Sequence, residues 1–537
     1  MRTAVGSVSG GTLLVVVVFS GIIASYSDYI PYWDAWGYFD CVTDAVQKPF
    51  SLLNFRCVTH PSMAYLFVLG LTQYLAPLNV HAAYAGNALL GVASIVAFHG
   101  LVRLIVPKRP SVEYSLVTAL YAFAPLFLVH ALFFNLDYGA TAFFVLFLAF
   151  LVARRFWTAS VFAVAMMFSK EVGAAAFVAA VAAYVVAFTI RAPLSWKERV
   201  ACLGQQAPLM AAPLILAAYV VDFHTLQPNP GSWISAYVPV SLVTDRLALI
   251  LNMNPADASF RAYLADVFVL NFQWIYTGVL VAAACAAVGR LARSGKKRVA
   301  LAGSELFLGL LLIELVYIVT RFRTYNNARY VLIASPVLIV AFYRALVSVL
   351  TNGAARRVFL SVTAALVLLS NFRTLDAGSK AVFGTFKFGS HAVLDMPALM
   401  KGPRLDSLVY NLESLQFHYL LSDMMRDWRP AQRTVLFMGD TRYAFPSPID
   451  ERSYTPTVDP SHAIQFYILS MDWEVQRDVL RSHGLADGDP FVYLALANAD
   501  NHQLRLLRAQ YPLVGAKQYD RNGYTLDLYT FRFTSMP

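Results

Sequence analysis

Between residue 11 and about residue 371 one apolar run follows another, several of them near the ~20 residues a helix needs to cross a bilayer. A chain with so many runs of that length buries them in lipid and against one another, which excludes the ordinary water-soluble folds. Composition agrees. Of 537 residues 58% are hydrophobic and 14% charged, with a mean hydropathy of +0.55, whereas a soluble protein carries about 25% charged residues. The first run, LLVVVVFSGIIASY, stands behind a single Arg2 and ends in a poor cleavage site. It reads as a retained span and not as a secretory signal.

A net charge of +10 raises the question of nucleic acid, and the distribution of charge answers against it. The basic residues fall in five short loops: Lys108 and Arg109; Arg154 and Arg155; Arg191, Lys197 and Arg199; Arg290, Arg293, Lys296, Lys297 and Arg298; Arg356 and Arg357. Clusters of that kind set membrane orientation. With all five loops in the cytoplasm, spans are predicted near 10–26, 81–104, 113–132, 139–153, 156–170, 172–190, 204–222, 264–288, 300–319, 329–349 and 358–371. The reading is an α-helical polytopic protein with about eleven transmembrane helices, N-terminus inside and C-terminus outside. HPSMAYLFVLGLTQYL (60–75) is too short to cross and is predicted as a juxtamembrane helix on the outer surface. The outer face then carries a first loop of about 27–80, turns near Asp137 and at 169–171, loops at 223–263 and 320–328, and everything after 372.

Past residue 372 polar residues increase. TVLFMGD (434–440), PFVYLAL (490–496) and YTLDLYTFRF (524–533) read as strands, and 411–426, 470–484 and 500–511 have helical spacing. Residues 1–371 are thus expected to form the transmembrane domain and 372–537 an extracytoplasmic (periplasmic) α/β domain. Of the four cysteines, Cys202 and Cys285 fall at the cytoplasmic side and within a span. Cys41 and Cys57 share the outer loop, where an oxidising compartment permits the disulfide we predict between them.

Some charges are not explained by topology. Lys170, in FSKEVGAAAF, lies at the outer end of a span, and Arg321, Arg323 and Arg329 crowd the outer segment TRFRTYNNARY. Positive charge is disfavoured on that face. A phosphate group compensates it, since arginine presents a fork of donors to phosphate oxygens; ion pairs with Glu171 or loop acids, or snorkelling to water, are the plainer readings. Asp137, in FFNLDYGA, orients a substrate hydroxyl, pairs with an arginine, or caps the span that follows.

In DYIPYWDAWGYFD (28–40), Asp28 is a solvated flank residue. Asp34 sits between Trp33 and Trp36, where partial desolvation suits a general base. Asp40 competes for that role: six residues apart on a helix, the two acids occupy different faces. Most of the aromatics form an interfacial belt, with one or two free to stack on a sugar ring. His60, ahead of Pro61, opens the 60–75 helix. The predicted substrate pocket comprises Trp33, Trp36, His60, Tyr138, Glu171 and Tyr330. HExxH, paired CxxC and EF-hand signatures are absent from the sequence, so no metal site is assigned, although a divalent ion between Asp34 and Asp137 is left open. Walker and dinucleotide motifs are absent too, and on the outer face an activated group arrives attached to a lipid.

These elements, in this order, resemble the polytopic GT-C glycosyltransferases, the group that includes protein O-mannosyltransferases and the aminoarabinose transferase of lipid A. PYWDAWGYFD is similar to the family's acidic first loop and HPSMAYLFVLGLTQYL to its His-Pro-Pro-Leu-Tyr helix. NLDYGATAFF resembles the second-loop Asp, MMFSKEVGAAAF the Lys at an outer span end, and NNARYVLIASPVLIV the Arg-Tyr…Pro span. The resemblance covers about residues 10–350 and departs at HPSM for HPPL, at the second acid Asp40, and in the α/β tail. It implies a polyprenyl-phosphate-linked sugar as donor and inverting transfer at the extracytoplasmic face of a bacterial inner (plasma) membrane. Asp34 would then be the base, Asp137 would assist in the pocket, and Lys170 with Arg329 would hold the donor phosphate. The acceptor (glycan, lipid or protein) is not specified. A transporter or lipid flippase for a cell-envelope precursor is the alternative; it calls for charges at span centres, paired broken helices or inverted repeats, which the sequence does not display.

Overall fold

The apolar runs fold as helices, the conformation that satisfies a backbone in lipid without a partner segment. In chain order they are α1 (Gly10–Ser25), α2 (Asp34–Gln47), α3 (Met63–Gln73), α4 (Val80–Ile105), α5 (Ser111–Ala122), α6 (Pro125–Ala131), α7 (Leu136–Val152) and α8 (Phe156–Met167). There follow α9 (Glu171–Val185), α10 (Trp196–Gln205), α11 (Ala211–Leu226), α12 (Gln273–Ser294), α13 (Gly303–Arg321), α14 (Ser335–Val349), α15 (Gly353–Ser370), α16 (Ala377–Phe383) and α17 (His502–Gln510). The computed structural model describes residues 9–25, 27, 34–56, 62–76, 79–132, 134–226, 264–294, 302–321, 328–372, 376–383, 385–388, 391–394, 434–438, 464–468, 485–496, 502–521 and 524–534.

Polar residues between the runs start the helices. The Asn79 side chain accepts from the backbone N–H of His81 at 2.9 Å at the start of α4, and Asn135 accepts from Asp137 at 2.8 Å at the start of α7. Ser195 and Glu198 form a reciprocal capping box on α10. Each satisfies donors that a first helical turn leaves without an acceptor. Helices lie at all eleven predicted span positions. By length and apolarity five are long enough to cross alone, or seven with the bent pairs α5–α6 (63°) and α10–α11 (46°) each counted once. The first bend follows from Pro125 at the start of α6, because proline favours a helix's first turn and leaves the residue before it extended.

The predicted juxtamembrane helix forms as α3, with one face packed on the bundle and Leu71 exposed on the other. Tyr65, Leu66 and Leu69 are fully buried, and the Tyr65 hydroxyl donates to Asn87 Oδ1 at 2.8 Å. Its ring lies on the backbone of Gly139 in α7, where a Cβ would come within 2.5 Å of it. Asn87 in turn donates to the Ala131 carbonyl at 2.9 Å and accepts, through its own carbonyl, from the Tyr138 hydroxyl at 2.9 Å. α3, α4, α6 and α7 thus meet at one asparagine.

At the far end of the bundle Glu113 of α5 is completely buried. Arg356 of α15 meets it with two parallel hydrogen bonds of 2.8 Å, and the Tyr343 hydroxyl of α14 adds a third of 2.8 Å. Arg356, predicted as a loop charge that sets topology, is instead the buried half of a bidentate clamp joining three helices.

Among the described residues every strand lies beyond residue 384. β1 (Thr385–Phe388) and β2 (His391–Leu394) form a hairpin. β3 (Thr434–Met438), β4 (Ile464–Ile468), β5 (Pro490–Leu496), β6 (Leu513–Arg521) and β7 (Tyr524–Arg532) make one sheet of order β4-β3-β5-β7-β6, parallel through β4, β3 and β5 and antiparallel beyond. The three predicted strands are β3, β5 and β7, and the predicted helix at 500–511 is α17; those at 411–426 and 470–484 lie outside the described residues. Alternation along β5 covers both faces. Phe491 and Tyr493 pack with Leu507, Tyr511 and Phe531, while Val492 joins Leu528 and Tyr519 in the apolar core continuous with the membrane helices. The chain enters this region through Asp376, whose carboxylate accepts from Phe272 N at 2.6 Å and from Trp274 Nε1 at 2.7 Å at the head of α12.

Candidate active site

Three of the charges that topology left unexplained converge. Asp137 begins the first turn of α7, Lys170 immediately precedes α9, and Arg329 lies in the 3-10 turn Ala328–Ala334 that leads into α14. The Lys170 ammonium donates to Asp137 Oδ2 at 2.6 Å, and Arg329 Nε lies 3.6 Å from the same oxygen. The Tyr330 ring lies beside both cations, 4.7 Å from Lys170 Nζ and 5.3 Å from the Arg329 guanidinium carbon. All three charged residues are less than a tenth exposed. Asp137 and Lys170 border a cavity of about 40 Å3 lined also by Glu171, Val172, Val319 and Tyr330, room for roughly one water.

Local sequence explains the convergence. Asn135 takes the capping role that Asp137 was one candidate for, so the Asp137 carboxylate is released to face the cations. Lys170 is extended, with φ −163° and ψ 154°, and this break between α8 and α9 turns its side chain toward α7. Of the plainer readings of Lys170, ion pairing is what the structure contains, with Asp137 as the partner. Lys170 and Arg329 face the buried Asp137 carboxylate, and Glu171 brings a second acid to the wall of the same cavity. The two cations are the donors a phosphate oxygen would use there.

His130 adds a group that sequence reading passed over. It is fully buried in α6, its Nδ1 is 2.7 Å from the Leu126 carbonyl, and Asp137, Lys170 and Arg329 are the charges that act on it. An ionisable residue in the otherwise apolar run LFLVHALFF was the available signal. Thr141, one turn beyond Asp137 in α7, and Asn135 contribute buried polar atoms close in sequence to the acid.

Other predicted residues are distributed as follows. Asp34, Trp36 and Asp40 lie on one continuous helix, α2, with side chains outside the described residues. Arg321 ends α13, its side chain likewise outside them; Trp33, Cys57, His60 and Arg323 lie outside them entirely. Cys41 is disulfide-bonded, and among the described residues Cys202 and Cys285 are free thiols. Tyr138 does not line the cavity: it is fully buried, bonded to the Asn87 carbonyl and packed 5.2 Å from the Phe127 ring, because α7 points it away from Asp137 into the α4 interface. Among the described residues no three His, Cys, Asp or Glu side chains come together as metal ligands do.

No protein-family model matches the chain, and no curated protein matches it by sequence. Solved structures do. ArnT from Cupriavidus metallidurans bound to undecaprenyl phosphate superposes with a TM-score of 0.55 at 12% identity, over 97% of this chain and 98% of that one. The apo state of the same protein gives 0.52 at 13% identity, over 96% and 97%. Coverage on both sides is nearly complete, so the likeness includes the C-terminal sheet region as well as the helices: this chain has the fold of ArnT.

Proposed function

We propose that the chain is a membrane glycosyltransferase that moves a sugar from a polyprenyl-phosphate-linked donor to an acceptor hydroxyl at the extracytoplasmic face. The observation that carries this reading is the buried Asp137–Lys170–Arg329 cluster, two cations on one carboxylate, set in the fold of a protein solved with undecaprenyl phosphate bound. Fold alone does not select a chemistry; the paired cations Lys170 and Arg329 suit a phosphate leaving group.

In the proposed step the acceptor oxygen bonds to the anomeric carbon as the bond from that carbon to the phosphate oxygen breaks, with inversion. The acceptor proton passes to the Asp34 carboxylate, and the electron pair leaves with the lipid phosphate. Lys170 and Arg329 stabilise the charge that grows on that oxygen. Asp137 holds the Lys170 ammonium with one of its three donors, leaving two for phosphate. The helix containing Asp34 also contains Asp40, so substitution decides between them.

The test is to incubate purified full-length protein with a panel of polyprenyl-phosphate sugars, with and without chelator, and to measure release of lipid phosphate. At least one donor is consumed. Asp34→Asn abolishes release and retains donor binding, while Asp40→Asn retains activity; the reverse pattern moves the base to Asp40. Failure to consume any donor overturns the proposal.

A further inference from the structure

α7 and α9 each have two ends. Their first residues bring Asp137 and Lys170 together; about 25 Å away along α7, the opposite ends carry Arg154 and Arg191. There the helices border two adjoining cavities that are open to the surface. One, of about 480 Å3, is lined by Arg154, Phe188, Arg191, Pro193 and Leu306 among others; the second, of about 520 Å3, by Arg154, Arg155, Trp157 and Gln205 among others. Arg154 is common to both, and its guanidinium approaches the Tyr184 hydroxyl. Among the described residues none of Arg154, Arg155 and Arg191 forms a salt bridge.

Orientation in the membrane asks for positive charge in this loop and for nothing more. The structure has two features beyond it. Arg154 stands at φ 59°, with its N–H on the Leu151 carbonyl at 3.0 Å and the Arg155 N–H on the Phe150 carbonyl at 2.9 Å. That is a helix-ending motif whose left-handed position favours glycine, yet it holds a long cation directed at a concave site. Beside it, α10 has no buried residue. Trp196, Val200 and Leu203, spaced as one helical stripe, are 75%, 49% and 45% exposed, and Trp157 is 74% exposed. A short amphipathic helix with an uncovered apolar stripe and basic neighbours belongs in the plane of lipid headgroups.

We propose that the paired cavities at Arg154 bind the phosphodiester headgroup of an anionic phospholipid, in the leaflet opposite the Asp137 cluster, with α10 and Trp157 seated in that leaflet. Three arginines without carboxylate partners among the described residues supply the complementary charge, in the fork geometry suited to phosphate oxygens. The exposed tryptophans fix the depth. This site is independent of the transferase reading.

Full-length protein, delipidated in detergent, is exposed to defined phosphatidylglycerol, phosphatidylcholine or inorganic phosphate, and bound species are counted by native mass spectrometry. Phosphatidylglycerol is retained about tenfold or more over phosphatidylcholine. The variant Arg154→Gly/Arg191→Gln loses that preference; glycine is the residue the backbone favours at 154, so its thermal midpoint without lipid does not fall. Arg191→Gln alone, at an exposed position, gives a second arm and lowers retention severalfold. Equal retention of both lipids by the unmodified protein, or unchanged retention in the variants, overturns the proposal. Complete displacement of phosphatidylglycerol by millimolar inorganic phosphate at constant ionic strength assigns the cavities to a free anion and overturns it equally.

Discussion

Lys170 Nζ and Asp137 Oδ2 lie 2.6 Å apart across 33 residues of sequence, both almost fully withdrawn from solvent. Burying two charges costs several kcal/mol of solvation per ion, which their attraction offsets only when both are present. Lys170→Met leaves Asp137 with Arg329 alone at 3.6 Å and is expected to destabilise the protein by about 3–5 kcal/mol. Asp137→Asn/Lys170→Met also takes the acid away from buried Arg329, so it recovers little of that stability, and it recovers none of the transfer because the phosphate ligand is still missing. Thermal unfolding in detergent and donor consumption, measured on the same samples, separate the two effects. An active double variant removes Lys170 from the chemistry.

The clamp of Glu113 and Arg356 gives a contrasting expectation. It lies at the opposite end of the bundle and contacts none of the Asp137 cluster, so it acts on stability alone. Glu113→Gln and Arg356→Met are each expected to cost about 3–5 kcal/mol, and their replacement together by Leu and Met far less. The rate per folded molecule stays the same. A fall in that rate at unchanged unfolding midpoint contradicts the structural assignment.

Close approach between α3 and α7 is testable at Gly139. A Cβ there would meet the Tyr65 ring at 2.5 Å, so Gly139→Ala must push the ring off Asn87 and is expected to cost about 1–3 kcal/mol. Tyr65→Phe, which loses only the 2.8 Å hydrogen bond, costs about 1 kcal/mol. If Gly139→Ala proves the milder of the two in a denaturation series, the packing described for α3 is incorrect.

The first loop carries the predicted Cys41–Cys57 bond. Intact-mass analysis after alkylation is expected to add two labels without reductant, at Cys202 and Cys285, and four with it. Four labels in unreduced protein dispose of the disulfide.

Membrane architecture was legible because it depends on long-range averages. Apolar runs and clustered basic loops located helices at every predicted span, and strand composition located β3, β5 and β7. Lengths were not legible, since the α5–α6 bend and the short α8 are settled by packing against neighbours. Charges divided in the same way. Lys170, Asp137 and Arg329 stood out because each sits where a charge is costly, and the structure brings them together. Arg356 did not stand out, as a buried clamp and a loop cation are the same letters in the same place. Tyr138 was assigned to the pocket by adjacency to Asp137, but neighbours on a helix point about 100° apart. His130 was missed for the converse reason: it is seven residues from Asp137 and lies on another helix, α6.

Helix α8 has 12 residues and therefore rises about 18 Å, against a hydrocarbon layer about 30 Å thick. With Trp157 at its beginning anchored in one interface, Lys170 just past its end falls short of the other by roughly 10 Å. If the proposed transfer takes place here, a phosphate that reaches this ammonium would leave the headgroup plane and descend into the bilayer. The shortness of one helix would then set the depth of that reaction, in a medium where attraction to Lys170 and Arg329 is much less screened than at the surface.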